Sequence, residues 1–145
     1  MTKKMAVGVL AGLLMLGTGL SAPLRAEAPR PEIATSVKAY AGAEGLKVWT
    51  LRIGPRTANE ALVQIGGIDH DWDMRIQKMQ VERVNDSDRY WTPVAGKKFV
   101  VLILREGRGE VYLPGEADAH WVSYDADLSG SGNAQHFLTD YLEQR

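Results

Sequence analysis

Phe99-Val-Val-Leu-Ile-Leu104, continued by Arg105-Glu-Gly-Arg-Gly109 and Glu110-Val-Tyr-Leu113, is the stretch that decides the fold. An unbroken apolar run that is β-branched in its middle reads as a strand buried on both faces, central to a sheet. The turn Glu106-Gly107-Arg108-Gly109 sends the chain straight back along Glu110 to Leu113, so the connection is a hairpin and not a helical crossover. Pro114-Gly115 ends that return strand, and His120 to Tyr124 supplies another.

Working upstream, Arg89 to Val94 is a shorter strand limited by Pro93, with Ala95-Gly96 as its turn, and Asn85 to Asp88 is a polar turn before it. From Trp72 the apolar positions run Trp72, Met74, Ile76, then change phase to Met79 and Val81. One extra residue near Gln77-Lys78 accounts for that change, so Met74 to Val84 is expected to be a bulged strand. Ala61 to Ile68 is a strand interrupted by Gly66-Gly67, a pair that implies a bulge, a bend or a close backbone approach. Leu46 to Ile53 alternates, with Trp49, Leu51 and Ile53 on one side, and Trp49 is expected to fill the core.

Two segments carry helical spacing. Ile33, Val37, Tyr40 and Ala41 fall at i, i+4, i+7 and i+8, which predicts a short N-terminal helix stopped by Gly42 and Gly45. At the other end Asn133 is an N-cap for a helix whose stripe is Phe137, Leu138, Tyr141 and Leu142. Ser129 to Gly132 before it reads as a flexible connection. The fold class is therefore α+β: a single domain with a mostly antiparallel curled sheet, sandwich or barrel of about six or seven strands and a helix at each end.

Lys3 and Lys4, the apolar run Val7 to Leu20 and small residues after it form an export signal, with cleavage expected after Ala26 or, less favoured before Pro29, after Ala28. The run is short for a membrane span and broken by glycines. A cut at Ala26 leaves residues 27 to 145 as one exported globular domain with no transmembrane segment, periplasmic or secreted. It also removes Lys3, Lys4 and Arg25, leaving 14 basic residues against 18 acids, a balance of −4. The basic residues are scattered, which argues against nucleic acid. With no cysteine there is no disulfide, thiolate nucleophile or lipidated cysteine.

Chemistry concentrates in Ile65 to Met79. Asp69, Asp71 and Asp73 alternate with His70 and Trp72, so on an extended chain the carboxylates share one side. A divalent metal on Asp69, His70, Asp71 and Asp73 is one expectation. The calcium-loop pattern fails, however, with Met74 where glycine is required and Gln80 where the bidentate Glu belongs. No cofactor is otherwise called for, and no catalytic residue is assigned: Ser129 and Ser131 near His136 lack a nucleophile-elbow pattern. Ser129 to Gly132 resembles, over those few residues, the Ser/Gly loop of periplasmic lysozyme inhibitors; it lacks the tyrosine that follows the glycine there and identifies no family.

Trp72 and Trp91 sit beside polar turns, where an amphipathic ring serves as a contact anchor. The favoured reading is an exported, non-enzymatic binding protein, of the inhibitor or immunity type, that meets a protein or envelope component through Asp69, Asp71, Trp72, Asp73 and Trp91. A metal-binding protein or metal-dependent hydrolase centred on Asp69, His70, Asp71 and Asp73 is the alternative, and an assembly factor of an envelope machine is the third.

Overall fold

A computed structural model describes residues 30–144, and the expected export signal with its cleavage site lies outside them. The strands are β1 (Lys38–Gly42), β2 (Lys47–Ile53), β3 (Glu60–Gly66), β4 (Ile76–Val84), β5 (Ser87–Val94), β6 (Lys97–Arg105), β7 (Arg108–Val111) and β8 (His120–Tyr124). Each pairs antiparallel with the next, and β8 pairs with β1, so the sheet closes into an up-and-down barrel. The expectation of about six or seven strands falls slightly short of this, and closure leaves no open edge. Helices α1 (Ala126–Gly130) and α2 (Ala134–Glu143) follow the last strand. No helix among the described residues is long and apolar enough to cross a membrane.

Two apolar clusters lie on opposite faces of the same strands. Val48, Val63, Ile65, Met79, Val81, Leu102, Leu104, Val111 and Leu113 are among those filling the barrel. Leu51, Ile53, Leu62 and Ile76 face out and are covered by Phe137 and Leu138 of α2, with Trp49 and Tyr141 packed alongside. The helix thus docks on one sheet face as its stripe predicts, except that Leu142 is 49% exposed and Ala134 contributes instead. Trp49 belongs to this outer cluster and not to the barrel interior.

The double core corrects two expectations. Residues 33–41 form no helix: Ile33 bridges to Ile53 and Lys38–Gly42 is strand. Ile33 and Val37 belong to the outer cluster and Tyr40 to the inner one, so apolar spacing of helical appearance comes from one extended segment serving two cores. Likewise β4 carries no bulge at Gln77-Lys78, since its register runs unbroken from Glu60↔Gln80 to Gln64↔Ile76. Ile76 faces the helix while Met79 and Val81 face the barrel, which is the origin of the phase change.

The irregularity occurs instead between β5 and β6. Tyr90 pairs with Leu102 and Trp91 with Val100, leaving Val101 as the extra residue. Consecutive Val101 and Leu102 are both fully buried in the inner cluster, as such a bulge permits. An all-apolar run concealed this position.

The Gly66-Gly67 pair marks a close backbone approach. Gly67 has φ +76°, and a Cβ there would stand 2.2 Å from the Gly45 carbonyl oxygen; one on Gly66 would meet Met74 Sδ at 2.6 Å. Ser129 to Gly132 is not a free connection either. Ser129 is buried in α1, where its hydroxyl accepts from Ala39 N at 2.8 Å and donates to Ala39 O at 3.3 Å. It serves backbone groups of β1 at the point where β8 has ended at Tyr124. Asp125 caps α1 and Asn133 caps α2, the latter as predicted.

Candidate functional site

The acidic segment between β3 and β4 closes one end of the barrel. Met74 N donates to Ile65 O at 2.7 Å and Gln64 Nε2 donates to Met74 O at 2.8 Å, folding the loop back across the strand ends. Exposure alternates as the spacing predicts: Asp69, Asp71 and Asp73 are exposed, His70 and Trp72 half-buried. Trp72 packs on the inner cluster and meets Phe99 edge-on at 6.3 Å and His70 at 5.6 Å. It is the stopper of that end.

His70 is committed to the same closure. Its Nδ1 accepts from Trp72 N at 3.1 Å, so Nε2 carries the proton and donates to Pro114 O at 3.0 Å. Both ring nitrogens are therefore occupied. Asp73 Oδ1 accepts from Ile68 N at 3.1 Å. Asp69 and Asp71 remain as solvent-facing carboxylates, and among the described residues no group of three or more His, Asp or Glu is placed to hold a metal ion.

A second region spans the outer surface of β5 to β8, across the barrel from α2. Cross-strand register aligns Arg89, Ile103, Glu110 and Trp121 in one row, with Trp91 opposite Val100 beside it. None of these apolar side chains belongs to either buried cluster. Trp121 is 66% exposed. The Tyr112 hydroxyl donates to Glu110 Oε2 at 2.6 Å, and that carboxylate holds the phenol above its ordinary range. Lys98 Nζ stands 4.9 Å from the Trp91 ring centroid and 2.7 Å from Glu82 Oε1, so the ring is flanked by a held cation. Trp91 and Trp121 thus stand on paired strands, and Tyr112 follows directly after β7. Of the residues singled out in the sequence, Trp91 lies here and Asp69, Asp71, Trp72 and Asp73 do not. Trp121 was missed because its alternation with Val122 in a short strand gives no sign of which face is covered.

The third region is the barrel's other end, beside which Glu32 to Ser36 of the described chain pass. Tyr40, Thr50 and Tyr90 point into it from β1, β2 and β5, and Tyr124 stacks edge-on against Tyr40 at 5.8 Å. Above them lie a cavity of about 580 Å³ toward β2 and one of about 530 Å³ toward the β6–β7 hairpin, which share Lys38, Asp88 and Tyr90. Asp88 accepts from Arg83 at 2.9 Å. Burial is the main cause that raises the Tyr90 phenol far above the tyrosine range, and Tyr40 moves the same way for the same reason, reinforced by Tyr124. Both hydroxyls stay protonated donors at neutral pH.

Compared with family models, with curated proteins and with solved structures, the chain matches none, so its own residues carry the functional argument.

Proposed function

We propose that this chain is a small exported, non-enzymatic binding protein that engages a protein or envelope partner, in the manner of an inhibitor or immunity-type protein, through the outer face of β5 to β8. The observation that carries the reading is the exposure of Trp121, 66%, on a strand locked into a closed barrel, in one cross-strand row with Glu110 and Ile103, with Trp91 on the same outer face two strands further on. Aromatic rings on a rigid sheet lose little entropy when a partner covers them, and such residues dominate binding energy in protein interfaces. Glu110 stands within the row between Ile103 and Trp121, and Arg89 and Lys98 lie toward its β5 side, so that charges interleaved with the rings fix orientation. The cysteine count of zero supports the exported part of this reading, since a barrel that holds together by packing alone suits an oxidising compartment.

The decisive measurement begins with the mature protein immobilised against an envelope extract, followed by reconstitution with the purified retained species. Trp121→Ala is expected to weaken that binding by roughly tenfold or more, since central aromatic anchors cost about 2 kcal/mol or more when truncated. Its melting temperature should stay near wild type because the ring is exposed. Equal binding by Trp121→Ala and Trp91→Ala, or no reproducible retention, refutes the assignment.

A further inference from the structure

Of the two cavities at this end of the barrel, the larger carries an excess of positive charge against the chain's overall sign, whereas in the smaller Arg83 is met by Asp86, Asp88 and Glu106. Lys38 on β1, Arg52 on β2 and Arg56 just beyond line the larger cavity, and among the described residues no carboxylate closes an ion pair with any of them. The formal net charge of the whole chain is −1. Asp88, the carboxylate closest to the centre of the mouth by its place in both cavities, is taken by Arg83 from the neighbouring strand. Among the described residues Glu32 is the one other carboxylate lining the larger cavity, so three cations there face two acids, one of them already engaged. A concave wall focuses the field of such unpaired charges, and it does so over a floor of hydroxyl donors.

We propose that this mouth is a binding site for a small organic anion, a carboxylate or phosphate carried on a short apolar body. Arg52 offers a planar fork for a carboxylate or phosphate and Lys38 a point charge beside it, while Tyr90 supplies a neutral hydroxyl from below. Pro55 gives the exposed apolar side against which the body of the ligand lies. A cation is repelled here, and a neutral sugar leaves the three basic groups without the counter-charge that their desolvation requires. A polymer of phosphates fits poorly, because the charge sits in a hollow at one end of the barrel and not along a stripe. The site is separate from the aromatic face of β5 to β8 and stands or falls without it.

The test is an amide-resolved nuclear magnetic resonance titration of the purified protein with benzoate, with phenyl phosphate and with neutral benzyl alcohol. Shifts are expected at Lys38, Arg52, Asp88 and Tyr90 with one or both anions and not with the alcohol, and the better anion names the head group. Arg52→Gln with Lys38→Gln should weaken binding by roughly tenfold or more, since hydrogen bonds to charged groups are lost. Both side chains are exposed, so the barrel should persist. Asp88→Asn frees Arg83 and should tighten binding, an effect that a merely damaged fold does not produce. Lys97→Gln, at the plugged end, is the unaffected control. Equal response to benzyl alcohol, shifts centred elsewhere, or wild-type affinity in the Lys38/Arg52 double variant overturns the proposal.

Discussion

At the scale of single residues, the barrel's two ends are set by aromatic rings in opposite chemical states. Trp72 closes one end by packing on the inner cluster; Tyr40 and Tyr90 sit at the other with raised pKa values. For Tyr90 the causes are burial first, then the neighbouring Tyr40 and Asp88, partly opposed by Arg52 and by the hydrogen bond with Thr50. The unfolded phenol ionises near its ordinary 10.0, where the folded one still holds its proton. Above that pH the native state therefore binds more protons than the unfolded chain, and stability falls as pH rises. The contribution is fully present below pH 10.0 and fades above it. Tyr90→Phe is expected to flatten this alkaline loss, read as melting temperature against pH between about 8 and 11. A profile as steep as wild type would show that Tyr90 already ionises freely in the native state.

At the scale of elements, what the sequence makes legible is each strand taken alone, and what it conceals is the number of faces a strand must bury. Phe99 to Leu104, the hairpin after it, His120 to Tyr124 and the Asn133-capped helix are all where their residues place them. Ile33, Val37 and Tyr40 misled because a period near four arises whenever an extended segment passes from an outer core to an inner one. Ile76 and Met79 gave a false bulge for the same reason. The acidic turn was legible as a turn, but Trp72's role as a stopper depends on Phe99, distant in sequence. The helix that creates the outer core is followed by a side chain that ties its end to β4. Gln144 Oε1 accepts from Ile76 N and its Nε2 donates to Ile76 O, both at 2.7 Å, acting as a strand partner where β5 does not reach. Gln144→Ala is expected to destabilise the protein by roughly 1–3 kcal/mol, because both backbone groups lose their partner while half-sheltered. Urea unfolding checks this. An unchanged midpoint would mean that water replaces the amide without cost.

At the scale of the whole molecule, the question is whether barrel and helix form one cooperative unit. Leu51, Leu62 and Ile76 under α2 alternate along β2, β3 and β4 with Val48, Val63 and Met79 of the interior, so each of these strands is fixed from both sides. Deleting α2 by ending the chain at Gly132 would leave the outer row bare, a contiguous apolar surface of the kind that drives self-association. It would also remove the packing that holds β4 in line before its pairing with β5 begins at Gln80. The truncated protein is therefore expected to bind a hydrophobic dye, to self-associate in sedimentation, and to melt over a broad range in place of a single transition. The aromatic face of β5 to β8 makes the contrast informative, since it too carries apolar side chains outside both cores, interleaved with Arg89 and Glu110, yet it lies over strands whose interior side is complete, Leu102, Leu104 and Val111 all being buried. Full-length protein should stay monomeric with that face open, whereas loss of ten helical residues should not be tolerated. A truncated chain that stays monomeric and melts in one sharp step would show that the inner core alone specifies the barrel, and that α2 is an addition to it and not part of its folding unit.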